Sequence, residues 1–305
     1  MYSYSLLEWL LFLYIYCFIG WCWETAYVSV KRHKFVNRGF MHGPFLPIYG
    51  TGGIMMLVVS APFQHNLILT YFAGVAGATA LELVTGALME ALFKVRYWDY
   101  SNQKFNYKGY ICLSSSAAWG FFTILMTRFL HKPVERFVLG LPEWLLNWGT
   151  IILTCYIVVD FAVSFHGALN LRILLDKMDK AKQELAVMER RLDAIIAFSR
   201  GVPEEKKDIS WYKRLRIDEL RKGIDERLGA LKGSFQENTQ NISDEVDQYR
   251  GRLQEILKSH NSNILSWRKK QKSRIYRNPT MVSKRYQDSL NELKQMLGDI
   301  RKKKN

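Results

Sequence analysis

Residues 144–166 read WLLNWGTIILTCYIVVDFAVSFH and contain one charged side chain, that of Asp160. A helix needs about 20 apolar residues to cross the hydrocarbon core of a bilayer, so this stretch predicts a membrane-spanning helix. Four other stretches have the same apolar character, at residues 9–30, 44–61, 67–92 and 110–129. The sequence therefore predicts an all-α protein whose first half is a polytopic helical membrane bundle of five spans.

The stretch at residues 44–61 is the least regular of the five. It is short, and the sequence around its start, GPFLPIYGTGG at residues 43–53, contains two prolines and four glycines. Irregular backbone persists at membrane depth only where protein or water satisfies its polar groups. We expect a spanning helix with a broken first turn, and a re-entrant segment is the alternative.

Charge is distributed unequally along the chain. Residues 1–169 contain 11 Lys and Arg against 8 Asp and Glu, whereas residues 170–305 contain 32 against 20. The mean hydropathy of −0.11 therefore averages an apolar half and a charged half. We expect a transmembrane domain over residues 1–169 and a cytosolic, basic, helical tail over residues 170–305, which excludes a single soluble globule.

Lysine and arginine in short loops indicate which side of the membrane a loop occupies, since they concentrate on the cytoplasmic side. The link at residues 62–66 has neither, whereas the loops after the first and third spans are strongly basic. Their basic residues are Lys31, Arg32, Lys34 and Arg38, and Lys94, Arg96, Lys104 and Lys108. With five spans in the cell membrane, the N-terminus is expected outside and the tail in the cytoplasm.

The tail begins with a heptad seam between Leu171 and Ile195. Apolar residues recur there in steps of three and four, at positions 171, 174, 178, 181, 185, 188, 192 and 195. This spacing is typical of a coiled coil, formed within the chain or between copies of it. We expect one helix over residues 144–199, ended by Gly201-Val202-Pro203, further helices beyond it, a helix break at residues 260–263 and a last helix from Asn278-Pro279.

A dense set of motifs runs through the apolar half of the chain. In chain order they are Gly20-Trp21-x-x-Glu24, Phe35-Val36-Asn37-Arg38-Gly39-Phe40-x-x-Gly43-Pro44-x-x-Pro47-Ile48-Tyr49-Gly50, Glu82-x-x-x-Gly86, Glu90-x-Leu92-Phe93, Arg96-Tyr97-Trp98-Asp99-Tyr100-Ser101, Phe105-Asn106, Gly109-x-Ile111-Cys112-Leu113 and Trp119-Gly120. On these motifs, roughly residues 10–165 resemble a bacterial family of integral membrane proteins labelled ABC-transporter type IV, or CmpB-type permease.

The resemblance implies a permease-like component of a membrane transport system, with no substrate indicated. The chain contains no Walker A motif, so an ATP-driven role would require a separate ATPase subunit. The alternative is a membrane-anchored scaffold or oligomerisation protein that acts through its coiled coil. Expected partners are membrane lipids, a second copy of the chain through the 171–195 seam, and the ATPase or another cytosolic protein.

Glu24, Glu82 and Asp160 are the ionisable residues expected inside the bilayer. Each lies 15 or 16 residues from the outer end of its span, so all three should lie roughly 22–24 Å from that end. Ionisable groups at such depth usually face the interior of a bundle. The residues predict a polar cluster, which is either a cavity for a cation, a proton or a headgroup, or a set of packing anchors tied to Arg38, Lys31 or Arg96.

Two further groups of residues are candidates for function. The first is a cytoplasmic-loop motif, in which Arg38 either binds a phosphate or carboxylate or serves a structural turn; its residues are Asn37, Arg38, Gly39, Gly43, Pro44, Pro47 and Tyr49. The second is an interfacial turn made of Arg96, Trp98, Asp99 and Tyr100.

Nothing in the sequence indicates catalysis. The serines at 114–116 have no neighbouring base in a nucleophile motif, and His42, His65 and His166 lack metal-ligand spacing. We therefore expect no enzyme activity, no metal and no cofactor. The basic runs at residues 268–274 and 301–304 lack a nucleic-acid-binding signature, so anionic lipid or an acidic protein is expected there and nucleic acid is not.

Overall fold

The computed structural model describes residues 3–199, 212, 215–234 and 240–302. This part of the chain is almost entirely helical, as predicted, and two short strands pair in antiparallel fashion. The helices are α1 (Leu6–Lys31), α2 (Pro47–Ser60), α3 (Leu67–Phe93), α4 (Leu113–Leu125), α5 (His131–Leu139), α6 (Glu143–Ser199), α7 (Ile217–Ser234), α8 (Gln240–Arg277) and α9 (Gln287–Lys302). The strands are β1 (Asn106–Tyr107) and β2 (Ile111–Cys112).

The chain divides into two compact units. The first consists of Met1–Leu169 together with Ser273–Val282, and the second of Asn170–Lys272 together with Ser283–Asn305. We expected residues 170–305 to form one tail, so the assignment of the 273–282 segment to the first unit is a finding of the structure. Two backbone hydrogen bonds between Arg96 and Val282, of 2.7 and 3.0 Å, hold the end of this segment.

Within the described ranges, three helices are long and apolar enough to cross a membrane: α1, α3 and the apolar part of α6. The second and fourth predicted spans are shorter helices in the structure. The second predicted span, residues 44–61, becomes helical only at Pro47, since Leu46 is still extended. It ends in a 3-10 turn at Ala61–Phe63. The fourth begins at Leu113, after the extended Cys112, and passes through a π-helical turn (Met126–Leu130) into α5.

Apolar side chains cover the outside of these helices. Phe72, Val84 and Ile152 are each more than half exposed, and many other large apolar residues on the same helices are exposed as well. A water-soluble protein rarely exposes so much contiguous apolar surface. Together with the length of the helices, this surface identifies a membrane protein.

Small residues let the helices of the first unit approach closely. The contacts run α1 to α2, α2 to α3 and α3 to α4. Gly74 in α3 faces Thr123 in α4 so closely that a Cβ atom on Gly74 would lie 2.1 Å from Thr123 Oγ1 and 2.4 Å from its Cβ. Membrane helices associate mainly through such packing, because lipid is as apolar as the side chains and the hydrophobic effect does not drive the helices together.

The second unit has its own apolar core. Leu185 and Leu192 of the heptad seam are fully buried within the chain, where they pack with Leu220, Ile224 and Leu228 of α7. Arg227, which interrupts the apolar pattern of α7, pairs with Glu189 at 2.6 Å and with Asp193 at 2.5 Å. This part of the seam is therefore covered within one chain, and contact between copies through it stays a prediction.

Helix limits in the tail follow tertiary contacts. The helix predicted over residues 144–199 is α6, while the expected stop at Gly201-Val202-Pro203 lies outside the described residues. The break expected at residues 260–263 is wrong, because α8 continues through it with His260 buried and Asn263 bonded to Lys177. The last helix begins at Gln287 and not at Asn278-Pro279.

Replacing Gly74 with alanine should destabilise the first unit. The added methyl group would overlap Thr123, and overpacking of this kind typically costs about 1–3 kcal/mol. The matched control is Gly52→Ala, since a Cβ atom at Gly52 would meet nothing within 4 Å. Thermal unfolding of the two purified variants in detergent should show a lower midpoint for Gly74→Ala alone; equal midpoints would show that the α3–α4 contact is loose.

Candidate functional site

Two loops bring polar groups to the helices of the first unit. The first loop, residues 32–46, follows α1, and the second loop, residues 94–112, follows α3 and contains the two short strands. Each of the three predicted carboxylates receives hydrogen bonds from one of these loops or from the residues directly after it. The loops therefore determine the surroundings of all three.

Glu24 in α1 is bound by a tyrosine and an arginine. Tyr49 Oη donates a hydrogen bond of 2.7 Å to Glu24 Oε1, and Arg38 Nε lies 3.7 Å from Oε2. The tyrosine can reach the carboxylate because its ring packs on Gly20, where a Cβ atom would lie 2.3 Å from ring carbon Cγ. The spacing between Gly20 and Glu24, one helical turn, thus creates a slot for Tyr49 beneath the carboxylate.

The first loop is held against α1 by side chains of the predicted loop motif. Asn37 accepts a hydrogen bond of 2.7 Å from Trp21 Nε1 and donates one of 2.8 Å to the carbonyl of His42. Gly39 has φ +131°, a conformation that favours glycine. A Cβ atom there would also lie 2.5 Å from the side chain of Leu46. The motif therefore forms a defined turn that positions Arg38.

Asp160 in α6 fixes the other end of the first loop. Its carboxylate accepts hydrogen bonds from the backbone N–H groups of His42, at 3.0 Å, and Gly43, at 2.7 Å. Ser164 Oγ donates a third, at 3.3 Å. Gly43 can approach because it lacks a Cβ atom, which would lie 2.9 Å from Asp160 Oδ2.

The imidazole of His42 lies beside the same carboxylate, with Nδ1 2.8 Å from Ser164 Oγ. Burial is the largest influence on it and lowers its pKa, and the nearby Arg277 acts in the same direction. His42 is therefore neutral at pH 7 and adds no positive charge to the loop.

Glu82 in α3 is surrounded by neutral donors. Its carboxylate accepts hydrogen bonds from Tyr100 Oη at 3.0 Å, Trp119 Nε1 at 3.0 Å and Ser115 Oγ at 3.3 Å. The residue is 5% exposed. Among the described residues no lysine, arginine or histidine forms an ion pair with it, so its negative charge is stabilised by dipoles alone.

Arg96, a member of the predicted interfacial turn, is 3% exposed and pairs with Glu90. Its guanidinium donates to Glu90 Oε2 and to the Lys108 carbonyl, and it lies 4.4 Å from the centre of the Tyr110 ring. Asp99 lies 3.5 Å from Nη1, and a Cβ atom on Gly109, which has φ +77°, would lie 2.4 Å from Asp99 Oδ1. Arg96 thus organises the second loop.

Trp98 and Tyr100 of the same turn point to different partners. Trp98 Nε1 donates to the Tyr110 carbonyl at 3.0 Å, whereas Tyr100 reaches Glu82. Tyr100 also contributes to the electrostatic surroundings of Tyr49. Glu82 is thus bound by a tyrosine of the second loop and Glu24 by a tyrosine of α2, while Asp160 is bound to the first loop.

Several residues of the site were not predicted. Glu90, Tyr110, Ser115 and Trp119 supply ion pairs or hydrogen bonds, although only Glu90 and Trp119 stand in the motifs quoted above and none was expected to have a role. The spacing of Ser115 and Trp119, four residues apart in one helix, is a signal that both share a face. The partners on the 273–282 segment gave no local signal.

Glu82→Leu should destabilise the protein more than Glu82→Gln. Leucine leaves the donors of Tyr100, Ser115 and Trp119 without an acceptor, at about 1–3 kcal/mol for each buried group. Glutamine keeps a carbonyl oxygen in place. Thermal midpoints and extracted yields of both variants would measure the difference, and equal losses would show that the charge itself stabilises the fold.

Comparison with known proteins adds one match. A family model described as "Putative ABC-transporter type IV" matches residues 10–165, just over half of the chain. The match covers α1 to α5 and the first part of α6, and so includes all three carboxylates and both loops. No curated protein and no solved structure matches the chain.

Proposed function

This chain belongs to the ABC-transporter type IV family, and on that premise we propose that it is a permease-like component of a transporter whose ATPase is a separate subunit. The family and the apolar helices support a transport-related role in a membrane. The absence of a Walker A motif from the sequence supports a separate source of ATP hydrolysis. The proposed cargo or coupling ion is a proton or a cation that binds at Glu82.

The observation that supports a proton or cation site is that the hydrogen-bond partners of Glu82 are all uncharged. A carboxylate that serves as a packing anchor is normally neutralised by a lysine or arginine, as Glu90 is by Arg96. Glu82 is as deeply buried as many core residues, yet its partners are a tyrosine, a tryptophan and a serine. A carboxylate in such a site gains a great deal from binding a proton or a cation, and buried carboxylates of this kind mark ion pathways.

The two tyrosines extend this site toward α1. Tyr100 Oη donates to Glu82, and Tyr49 Oη donates to Glu24. A hydroxyl group both donates and accepts hydrogen bonds, so each tyrosine can exchange a proton with the carboxylate that it binds. Arg38 Nε lies 3.7 Å from Glu24 Oε2, so a cation stands beside this carboxylate. These contacts support a polar route through the first unit.

Flux measurements on the reconstituted protein test the proposal. The full chain is purified from native membranes with its bound partners, reconstituted into liposomes with ATP, and followed with pH-sensitive and cation-sensitive dyes. Wild type should show flux, Glu82→Gln should lose most of it, and Tyr100→Phe should reduce it. The matched control Glu143→Gln removes an exposed carboxylate and should retain flux. Absence of flux in wild type, or full flux in Glu82→Gln, would contradict the proposal.

The proposed orientation places the N-terminus outside the cell and both basic loops, with the tail, in the cytoplasm. The distribution of lysine and arginine supports it. To test it, Ser262→Cys is made in a background without Cys17, Cys22, Cys112 and Cys155, because Ser262 is exposed on α8. A membrane-impermeant maleimide should label this cysteine after lysis and not in intact cells. Labelling in intact cells would place the tail outside the cell and contradict the proposed orientation.

A second candidate function is a membrane-anchored scaffold. The observation in its favour is the separate core of the second unit, which contains part of α6 and the helices α7 to α9 apart from the last residues of α8. In this case Glu82→Gln should leave the physiological activity unchanged. Leu192→Asp places a carboxylate in the core of the second unit, so it should disrupt that core and abolish the activity.

A further inference from the structure

Two arginines of the 273–282 segment are buried in the first unit. Arg274 is fully buried, and Arg277 is 7% exposed. Arg274 Nη1 donates to Tyr97 Oη at 3.3 Å, its Nη2 donates to the Ser164 carbonyl, and its guanidinium lies 5.3 Å from the centre of the Phe40 ring. Arg277 Nη1 donates to the Met41 carbonyl. The segment thus brings two strongly basic groups to the first loop.

These contacts leave part of each guanidinium unused. Arg274 Nε, Arg277 Nε and Arg277 Nη2 are buried and have no hydrogen-bond partner within the part of the chain that the structure describes. The guanidinium N–H groups are strong donors, and a buried donor without an acceptor is costly. Nε and Nη2 of Arg277 form one edge of the planar guanidinium, which is the edge that binds two oxygens of an oxyanion side by side.

The neighbouring carboxylates do not supply these acceptors. Asp160 influences Arg277 electrostatically, but its oxygens accept from the His42 and Gly43 amides and from Ser164. Glu24 is paired with Arg38. The local balance is therefore two buried arginines against one carboxylate.

Arg277 remains cationic at neutral pH. Burial, and then the charge of Arg274, lowers the pKa of Arg277 to about 10, well above the pH of a cell. Neutral His42 does not alter the balance. The excess positive charge favours an anion beside the two guanidinium groups.

We propose that Arg274 and Arg277 form a binding site for a phosphate oxyanion, either inorganic phosphate or the phosphodiester of an anionic lipid. The two residues are three apart at the end of α8, so they lie on the same face. Their three unpaired nitrogens carry four N–H groups. These suit a phosphate group, which offers four oxygens when ester oxygens are included, better than a carboxylate, which offers two. The hydrogen bonds that Arg38 donates to Asn278 Oδ1, at 3.4 Å, and to Thr280 Oγ1, at 3.1 Å, fix the chain next to the site.

Ligand-induced stabilisation of the full chain tests this site. A ligand that binds the folded protein raises its thermal midpoint with increasing concentration. In nanodiscs of phosphatidylcholine, inorganic phosphate should raise the midpoint saturably, and sodium chloride of equal ionic strength should not. Arg277→Lys keeps the charge but removes the Nε–Nη2 edge, so it should weaken the apparent affinity for phosphate by about tenfold or more. Lys284→Gln removes an exposed charge seven residues further along the chain and should bind as wild type does.

A second set of nanodiscs, containing phosphatidylglycerol, distinguishes the two sources of phosphate. If the lipid is the ligand, these nanodiscs raise the wild-type midpoint without added phosphate, added phosphate has no further effect, and Arg277→Lys loses the increase. If free phosphate is the ligand, the lipid has no effect and phosphate acts in both nanodiscs. Broadening of the ³¹P signal of inorganic phosphate by the wild-type protein gives a readout without any variant.

The proposal fails if neither ligand changes the midpoint or the phosphorus signal. It also fails if Arg277→Lys responds as strongly as wild type, since the effect would then arise elsewhere on this basic protein. Because each variant is compared with itself with and without ligand, a lower starting stability of Arg277→Lys does not prevent the comparison.

Discussion

A carboxylate buried among apolar helices must have hydrogen-bond donors, because burial removes it from water. The position of the first loop depends on this requirement, since the loop supplies donors to Asp160. The backbone N–H groups of His42 and Gly43 both donate to the carboxylate of Asp160. These hydrogen bonds satisfy two backbone donors and also fix the loop. With the loop fixed, α2 begins where Tyr49 can reach Glu24. The position of α2 relative to α1 therefore depends on the hydrogen bonds that the carboxylates of Asp160 and Glu24 accept.

Glycines determine which of these contacts can form. Gly20 admits the ring of Tyr49, Gly43 admits Asp160, and Gly74 admits Thr123. At each position a side chain would occupy the space that the partner needs. Gly20 and Gly43 stand in the motifs quoted above, whereas Gly74 does not. All three have a common physical role, because they allow polar side chains and neighbouring helices to approach closely.

The three carboxylates are satisfied in three different ways, and the differences bear on function. Asp160 is held by backbone amides, Glu24 by an arginine and a tyrosine, and Glu82 by neutral side chains. In the first two arrangements the partners include backbone amides or a cation. The third leaves a charge that a proton or cation can neutralise, which is why the proposed transport role centres on Glu82. The phosphate site proposed at Arg274 and Arg277 has the opposite character, since there donors exceed acceptors.

The sequence by itself determined the all-α class, the apolar helices and the extent of α6, because these depend on local composition and on spacings of three or four residues. It also identified Glu24, Glu82 and Asp160 as ionisable groups on the apolar helices, of which the structure buries Glu82 and Asp160 and leaves Glu24 partly exposed. It could not supply their partners: His42 and Asp160 are 118 positions apart, and Arg277 and Met41 are 236 apart. It also missed that 273–282 belongs to the first unit, since this segment follows a charged helix and resembles the rest of the tail. Tertiary structure decided these points, because a buried charge is satisfied by whichever donors the folded chain brings near it, at any separation along the sequence.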